Sequence, residues 1–531
     1  MNTLVVNCTR LGDLLQTQPV LSGLKRRGDA VGLVCLENFA GAATLLRDVD
    51  HVYPLPGASV LAGLDRDWKA GLGAFWTWGT AAARDFAPEG VVNFTASLSV
   101  RLLARFLAAG NGGGAAVSGF GIDAMGFGVC SNPWTAFLLS STRNRGCSPF
   151  NLVDQFWQVA GLGAGERAFC LRTPDAAATA TAAALLEAEA PAGCKGFVAL
   201  QLGASNDHRR WPVVRFAALG RMLWERLGLC PVLLGSKGEA GLGERYAAAA
   251  QAPCVNVIGR TSLPELAAVL ARCGLLVSND TGTMHLAAGL GVPIVAIFLA
   301  TAQPWDTGPY RTGACSLEPD LPCHPCQFGK LCPNEHVCRQ AIGEDTVFAL
   351  AGHYLATGAW AGVPRTALDG VRVWESCRDA HGFMDLVSHS GHEHADRTAW
   401  VRLQRHFYRA FLEAEPPGVA DPGLAEARGA LSAPARATVA AELEQAGRLL
   451  FLLHEQGNAL RAAPLPVLKN RFMTTWQRLE SLWNESQFFN VLGYLWMAQS
   501  QEGGQDMDSV LGLVGRYREL VSGWESLFVG K

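Results

Sequence analysis

Charge is scarce in this sequence. Of 531 residues, 17% are Asp, Glu, Lys or Arg, with 44 basic against 47 acidic side chains and a formal net charge of −3. A general nucleic-acid binder would carry a basic excess, so the balance argues against that class. Sparse charge combined with 59 glycines also argues against extended disorder and against coiled coil. Long apolar runs are missing too. The longest candidate, Val292–Ala300, falls well short of the roughly 18–20 residues of a spanning helix and reads as a buried strand. The opening Met-Asn-Thr-Leu-Val-Val-Asn has no basic stretch leading into an apolar one, so no leader is expected and the chain reads as cytoplasmic. Gly235-Ser236-Lys237-Gly238 lacks the spaced glycines and the Lys-Ser/Thr pair of a Walker loop, which argues against NTP hydrolysis. No heptad or longer repeat is visible. Cysteine is the exception to this scarcity. Most of the 15 stand isolated in apolar segments, as small buried hydrophobes do.

Alternating strand and helix signals occur in two stretches, which predicts an α/β fold with doubly wound parallel sheets. In the first, Thr3–Asn7 is a short β-branched run, followed by the turn Cys8–Asp13. A helix follows and closes on Lys25-Arg26-Arg27 before Gly28, with cations and then glycine as stop signals. Val31–Leu36 is the next strand and Gly41–Arg47 the next helix. An Ala-rich helix over Leu171–Lys195 bridges to the second stretch. There, strands are expected at Phe197–Leu202, Pro231–Leu234, Val255–Ile258, Leu275–Ser278 and Val292–Phe298. Helices are expected from Trp211 to Leu227, from the capping box Ser262-Leu263-Pro264-Glu265 to Cys273, and over Thr283–Leu290. Beyond about Gly362 strand signals vanish. Helices are expected at Asp396–Glu415, Pro434–His454, Pro466–Gln499 and Met507–Phe528, with Phe472, Trp476, Leu479 and Trp483 on one core-forming stripe. The expected division is therefore 1–170 and 196–362 as α/β domains, 171–195 as linker, and 363–531 as an all-α extension of unknown role.

In doubly wound sheets ligands sit beyond the C-terminal strand ends, so the polar loops there are the candidates. Ser278–His285 joins a buried strand to a helix. Gly282 allows close backbone approach, free N–H groups at the helix start can hold a phosphate, and Thr281 and Thr283 add hydroxyls. An ordinary cap, with Asp280 satisfying those N–H groups, explains this loop equally well. Gly203–Arg210 is the second loop, where a guanidinium can bind a diphosphate bidentately. Asp13, beside Gly12 at a strand–helix turn in the other α/β stretch, reads equally as a helix cap or as a general base.

Three segments together resemble the heptosyltransferases of lipopolysaccharide core synthesis, glycosyltransferase family 9. They are Arg10-Leu11-Gly12-Asp13 with Thr17-Gln18-Pro19, Leu202–Ser205 leading to Arg209-Arg210-Trp211-Pro212, and Ser278–Ala288. The resemblance covers about residues 1–350 and is carried most strongly by the last segment. It implies a GT-B fold of two Rossmann-like domains facing a cleft, residues 1–170 taking the acceptor and 196–362 the nucleotide sugar. It implies transfer of heptose from ADP-heptose to a lipid A–core sugar hydroxyl, with inversion and no required cofactor or metal, at the inner face of the inner membrane. Asp13 matches the proposed base. Asp280, Thr281, Gly282, Thr283 and His285 match the donor loop. Arg209 stands where a lysine is common, and Glu239 roughly matches an acidic residue that contacts the nucleoside. The length of the helical extension keeps two alternatives open: another nucleotide sugar or a protein acceptor on the same fold, and a non-catalytic sugar-binding or scaffold protein.

Other basic side chains, Arg10, Arg143 and Arg145 together with Arg101 and Arg105, would suit an acidic or phosphorylated acceptor. Cys323, Cys326, Cys332 and Cys338 have spacing that could bind a metal, but a reduced structural loop is the expected reading in the cytosol.

Overall fold

A computed structural model describes every residue except 111–113, 144–147, 417, 419–421, 503–505 and 529–531. The chain forms two compact units, Met1–Ser131 with Asn151–Ser390, and Asn132–Phe150 with Gly391–Lys531. The first contains two sheets. One is built from β1 (Asn2–Val6), β2 (Ala30–Leu36), β3 (His51–Leu55), β4 (Gly90–Asn93), β5 (Ala116–Ile122) and β6 (Gly128–Cys130), in the order β3-β2-β1-β4-β5-β6. All its pairings are parallel except β5 with β6. The other contains β7 (Gly196–Gln201), β8 (Leu229–Leu234), β9 (Val255–Asn256), β10 (Cys273–Asn279), β11 (Ile294–Ile297), β12 (Cys315–Pro319), β13 (Val371–Arg378) and β14 (Met384–Ser388). Their order is β14-β13-β12-β11-β10-β7-β8-β9.

Both sheets reverse direction of winding at an interior strand pair, β1/β4 in the first and β7/β10 in the second. The loops that leave β1, β7 and β10 are therefore those that a doubly wound sheet offers to a ligand. The strands feeding these loops are buried on both faces. Leu4, Val5, Val6, Val198, Ala199, Leu200, Leu275, Leu276 and Val277 are all fully enclosed, as continuous apolar runs in a covered parallel sheet should be. The two halves interlock: Leu171 N–H donates to Gly289 O at 2.8 Å and Arg172 N–H to Leu45 O at 2.7 Å. Asn151 Nδ2 donates to Gly308 O at 3.1 Å.

Several sequence expectations are corrected. Residues beyond 362 do not turn wholly helical, because β13 and β14 extend the second sheet as an antiparallel hairpin. The alternation Val371, Val373 inward against Arg372 outward is the strand signal, and it is short enough to be hidden between Gly370 and Gly382. Residues Asn132–Phe150 leave the first α/β half and join the helical unit. There Phe137 meets Tyr408, ring centroids 6.0 Å apart. The first helix is broken into Leu11–Leu15 and Gln18–Arg26, Pro19 opening the second piece. Pro466–Gln499 is likewise two helices, Pro466–Glu485 and Asn490–Glu502. Ser486 ends the first in extended backbone and its Oγ accepts from the N–H groups of Phe488 and Phe489.

The second unit contains the helix Pro133–Arg143 and the helices Asp396–Leu412, Pro422–Ala430, Ala433–Ala462, Pro466–Glu485, Asn490–Glu502 and Met507–Phe528. Its core is aromatic. Trp524 stacks on Phe407 at 4.1 Å and on Trp400 at 4.8 Å, and Trp483 and Tyr517 both meet Trp496. The Phe472–Trp483 stripe is core: Phe472, Leu479 and Trp483 are buried and Trp476 packs on Trp496 at 4.4 Å. Among the described residues no helix is long and apolar enough to cross a membrane.

Candidate functional site

The turn after β1 and the helix after β10 come together. Leu11–Leu15 is a single short turn of helix, and its Gly12 lies against Gly282–Leu290. A Cβ placed on Gly12 would stand 2.7 Å from His285 Cδ2 and 3.5 Å from Gly282 Cα. Reciprocally, a Cβ on Gly282 would stand 3.3 Å from Gly12 N. Two glycines from opposite halves thus remove the side chains that would keep these backbones apart. His285, 4% exposed, provides the flat ring against which the Gly12 backbone rests.

Asp13 is the next residue and is half-buried. Its backbone carbonyl accepts from Asn7 Nδ2 and Thr17 Oγ1, both at 3.1 Å, which fixes the turn. Among the described residues no hydrogen bond or ion pair engages its carboxylate, so it is not serving as a cap. Cys8 shares this turn. Burial and then the neighbouring Cys35 push its thiol up to about 12, so it stays protonated and is no nucleophile. Arg10 is exposed at the start of the turn.

Opposite, Thr281 is the N-cap of Gly282–Leu290 but makes no side-chain capping bond. Met284 N–H donates to Thr281 O at 3.1 Å, and the N–H groups of Gly282 and Thr283 have no side-chain cap. Asp280 does not cap them either; it forms an ion pair with Arg209, both side chains being about nine-tenths buried. That pair pins the Gly203–Arg210 loop to the helix start. Arg209 Nε is buried and has no hydrogen-bond partner. An enclosed guanidinium N–H without an acceptor is costly unless a ligand supplies one. Arg210 turns elsewhere, donating to Asp207 at 2.7 Å. The hydroxyl of Thr283 donates to Gln201 Oε1 at 2.9 Å, and Thr281 Oγ1 lies 3.3 Å from Ser278 Oγ. Glu239 Oε2 accepts from the Ser236 N–H at 2.7 Å and from Ser236 Oγ at 2.9 Å, while its other oxygen covers Gly203, where any Cβ would collide with it. Glu239 thus sits over the ends of β7 and β8.

Asn279 was not singled out from sequence, yet it organises the loops. It is fully enclosed, takes the Trp211 N–H on Oδ1 at 2.8 Å, and donates through Nδ2 to the carbonyls of Gln201, Leu202 and Gly203. Its sequence signal was only its place at a strand end beside Asp280.

The remaining candidates lie apart from this geometry. Arg101 is buried and donates to the carbonyls of Ala96, Gly121 and Val129. Arg105 reaches the carbonyls of Ile122 and Asp123. Both hold the β5–β6 hairpin. Arg143 ends a helix of the second unit rather than lying in the first α/β half. Its side chain, and Arg145 altogether, lie outside the described residues. The four cysteines at 323–338 are free thiols. Burial, then the charges of Cys338, Cys323 and Cys332, push Cys326 up to about 11, and burial chiefly raises Cys338. Among the described residues no group of three or more His, Cys, Asp or Glu is arranged to hold a metal ion.

Known proteins resemble parts of this chain in sequence and its α/β part in fold. The model of the family described as Glycosyltransferase family 9 (heptosyltransferase) matches residues 152–338. Lipooligosaccharide heptosyltransferase 2 of Haemophilus influenzae is 35% identical over 98 residues, 18% of this chain and 28% of that protein. Lipopolysaccharide heptosyltransferase 2 of Escherichia coli is 37% identical over 94 residues, 17% of this chain and 27% of that protein. These matches span little more than a quarter of the relatives' length. The crystal structure of a family 9 glycosyl transferase from Veillonella parvula superposes with a TM-score of 0.52 at 18% identity, covering 67% of this chain and 97% of that one. That likeness bears on the fold, which is of the GT-B type with an added helical unit. Through residues 152–338, the stretch that supplies Arg209, Glu239 and the Asp280–His285 loop, the chain is similar to glycosyltransferase family 9.

Proposed function

We propose that the protein is an inverting glycosyltransferase that moves heptose from ADP-heptose to a sugar hydroxyl of a lipid A–core acceptor. The observation that carries this reading is the seating of the Gly12-Asp13 turn on the Gly282–His285 helix start. That contact brings the turn carrying Asp13 against the helix start to which the Asp280–Arg209 ion pair is tied, and this supports the reading. The names of the relatives, lipooligosaccharide and lipopolysaccharide heptosyltransferases, support the transferred sugar and the acceptor class, and the ADP carrier is what the family resemblance implies.

In this reading the diphosphate rests on the first-turn N–H groups of Gly282–Leu290 and on Arg209, with Glu239 towards the nucleoside. The acceptor oxygen attacks the anomeric carbon, Asp13 takes its proton, and the bond from that carbon to the diphosphate oxygen breaks. The transition state is oxocarbenium-like. Charge growing on the departing ADP is met by the helix start and Arg209, which are already in place. No metal is called on.

A panel of nucleotide sugars tested by thermal unfolding separates the readings. ADP-heptose at about a hundred times its Kd should stabilise the chain by about 2.7 kcal/mol by linkage, and UDP- and GDP-sugars should not. Stabilisation by a UDP- or GDP-sugar alone would overturn the donor assignment. Arg209→Ala should raise the donor KM about 10–100-fold, the worth of hydrogen bonds from a charged donor, while Arg209→Lys recovers much of it. In Gly12→Ala the added methyl would displace the Asp13 turn from His285. Acceptor-dependent ADP release should then fall about 100-fold, with far less change in ADP affinity.

A further inference from the structure

Arg209 is carried by a single helical turn, Asp207–Arg209, which has little to hold it within its own stretch of chain. Asn206 Oδ1 accepts from the His208 N–H at 2.9 Å, and Arg210 Nη1 donates to Asp207 Oδ1 at 2.7 Å. Asn206, Asp207 and His208 are all exposed, and exposed bonds and ion pairs of this kind contribute little on their own. A long side chain that must meet a ligand from so short a turn needs a firm seat. Misplacing a reacting or binding group by about 1 Å can cost about 100-fold in rate.

The seat is supplied by a distant segment of the same unit. Arg339, on the short helix Cys338–Ala341, donates through Nε to the Arg210 carbonyl at 3.1 Å and through Nη1 to Asp207 Oδ2 at 3.3 Å. One guanidinium therefore grips the turn at both ends, and Arg210 and Arg339 share the Asp207 carboxylate, one oxygen each. Between those ends the His336 ring lies flat on the His208 ring, with centroids 3.8 Å apart and planes 9° apart. The segment is itself anchored. Cys338 and Ile342 are buried in the core beneath the second sheet. The Ile342 carbonyl accepts from Trp211 Nε1 at 2.9 Å and the Gln340 carbonyl from Arg215 Nη2 at 3.0 Å. Trp211 and Arg215 follow the turn, so the chain is bonded to this segment both at the turn and just after it.

We infer that Arg339 is a positioning residue for donor binding. Through Asp207 and the Arg210 carbonyl it holds the turn from which Arg209 meets the diphosphate, and it touches no substrate group itself. Arg209 alone among residues 207–210 pairs with Asp280, while the side chains of Asp207, His208 and Arg210 are engaged with one another or with Arg339 and His336. Ordering the turn in advance lowers the entropy that binding must overcome, which is how a residue outside a site raises affinity. The inference rests on the proposed function for the role of Arg209 and goes beyond it in assigning donor affinity to a side chain outside the site.

The test is a double-mutant cycle on the full chain, read by calorimetric titration of ADP and by donor KM and kcat. Arg339→Ala should raise the ADP Kd and the donor KM about tenfold, as loss of a hydrogen bond from a charged donor does. Turnover at saturating donor should stay within about twofold of the native rate, because the lost interaction acts on binding. Arg339→Lys keeps a cation for Asp207 but not the fork that also reaches the Arg210 carbonyl, and should recover part of the affinity. In an Arg209→Ala background, Arg339→Ala should weaken ADP by less than about twofold further, since the turn then has nothing to position. A full tenfold effect in that background, a fall in kcat with KM unchanged, or native ADP affinity in Arg339→Ala would each overturn the inference. Circular dichroism checks the fold; should Arg339→Ala fail to fold, Asp207→Asn, at an exposed site, replaces it in the cycle under the same criteria. The choice of nucleotide separates this inference from the proposed function. If the native chain binds UDP or GDP in place of ADP, the donor assignment falls, and the same cycle run with that nucleotide still decides the role of Arg339. Binding of none of the three would overturn both.

Discussion

Asp13→Asn should bind ADP as the native chain does and lose about 10²–10⁴-fold in acceptor-dependent turnover, the usual contribution of a positioned general base. The substitution is nearly isosteric. The groups that hold the turn, Asn7 Nδ2 and Thr17 Oγ1, bind the backbone carbonyl of Asp13 and not its carboxylate, so the local fold should persist. An amide cannot accept the hydroxyl proton, while the diphosphate site on the Gly282–Leu290 helix and Arg209 is untouched. Initial rates at saturating donor, with calorimetric titration of ADP, measure the two parts separately. Loss of ADP affinity equal to the loss of rate would make Asp13 a structural residue. Full turnover would remove it from the reaction.

Asp154→Ala should destabilise the first unit by about 3–5 kcal/mol, the cost of removing one partner from a buried ionic network. Asp154 is fully enclosed on the helix Leu152–Val159. Its carboxylate accepts from Arg167 Nη1 at 2.7 Å, Tyr310 Oη at 2.6 Å and the Met384 N–H at 2.9 Å. Burial, and then the Asp154 charge, push the Tyr310 phenol well above its ordinary range, so it remains a donor. The alanine would strand the buried Arg167 guanidinium, which also lies 4.2 Å from the Phe383 ring centroid. It would also free the β13–β14 hairpin from the helix. Arg378, 4.0 Å from Asp154 and less buried, should matter much less: Arg378→Ala is expected to cost about 1 kcal/mol or less. Urea unfolding followed by near-ultraviolet circular dichroism compares the two variants; equal small effects would show that the network does not carry stability.

The α/β order was legible because each strand feeding the site is a short, wholly apolar run followed by a polar turn and a helix-start signal. The Ser262–Glu265 capping box forms as its sequence states, with Glu265 Oε2 accepting from the Ser262 N–H at 2.7 Å. The contact between Gly12 and His285 was not legible. Spacing within each half says nothing of how the halves dock, and only the resemblance to family 9 set them face to face. Asn279 was missed because its hydrogen bonds reach residues 68–78 positions away. The β13–β14 hairpin was missed because the following helical pattern dominated the reading, and Asn132–Phe150 because Trp134, Phe137 and Phe150 look like any α/β core residues until packed. Arg101 shows the converse error: a cation suggested for the acceptor is used instead on buried carbonyls.

The most direct measurement of the central claim is the position of ADP in a crystal structure of its complex with the full chain. Diphosphate oxygens should lie within hydrogen-bond distance of the N–H groups at residues 282 and 283 and of the Arg209 guanidinium, with the Asp13 carboxylate on the same side as the β-phosphate. ADP held on another surface, or bound here with Asp13 turned away and screened by the Leu11–Leu15 backbone, would contradict it.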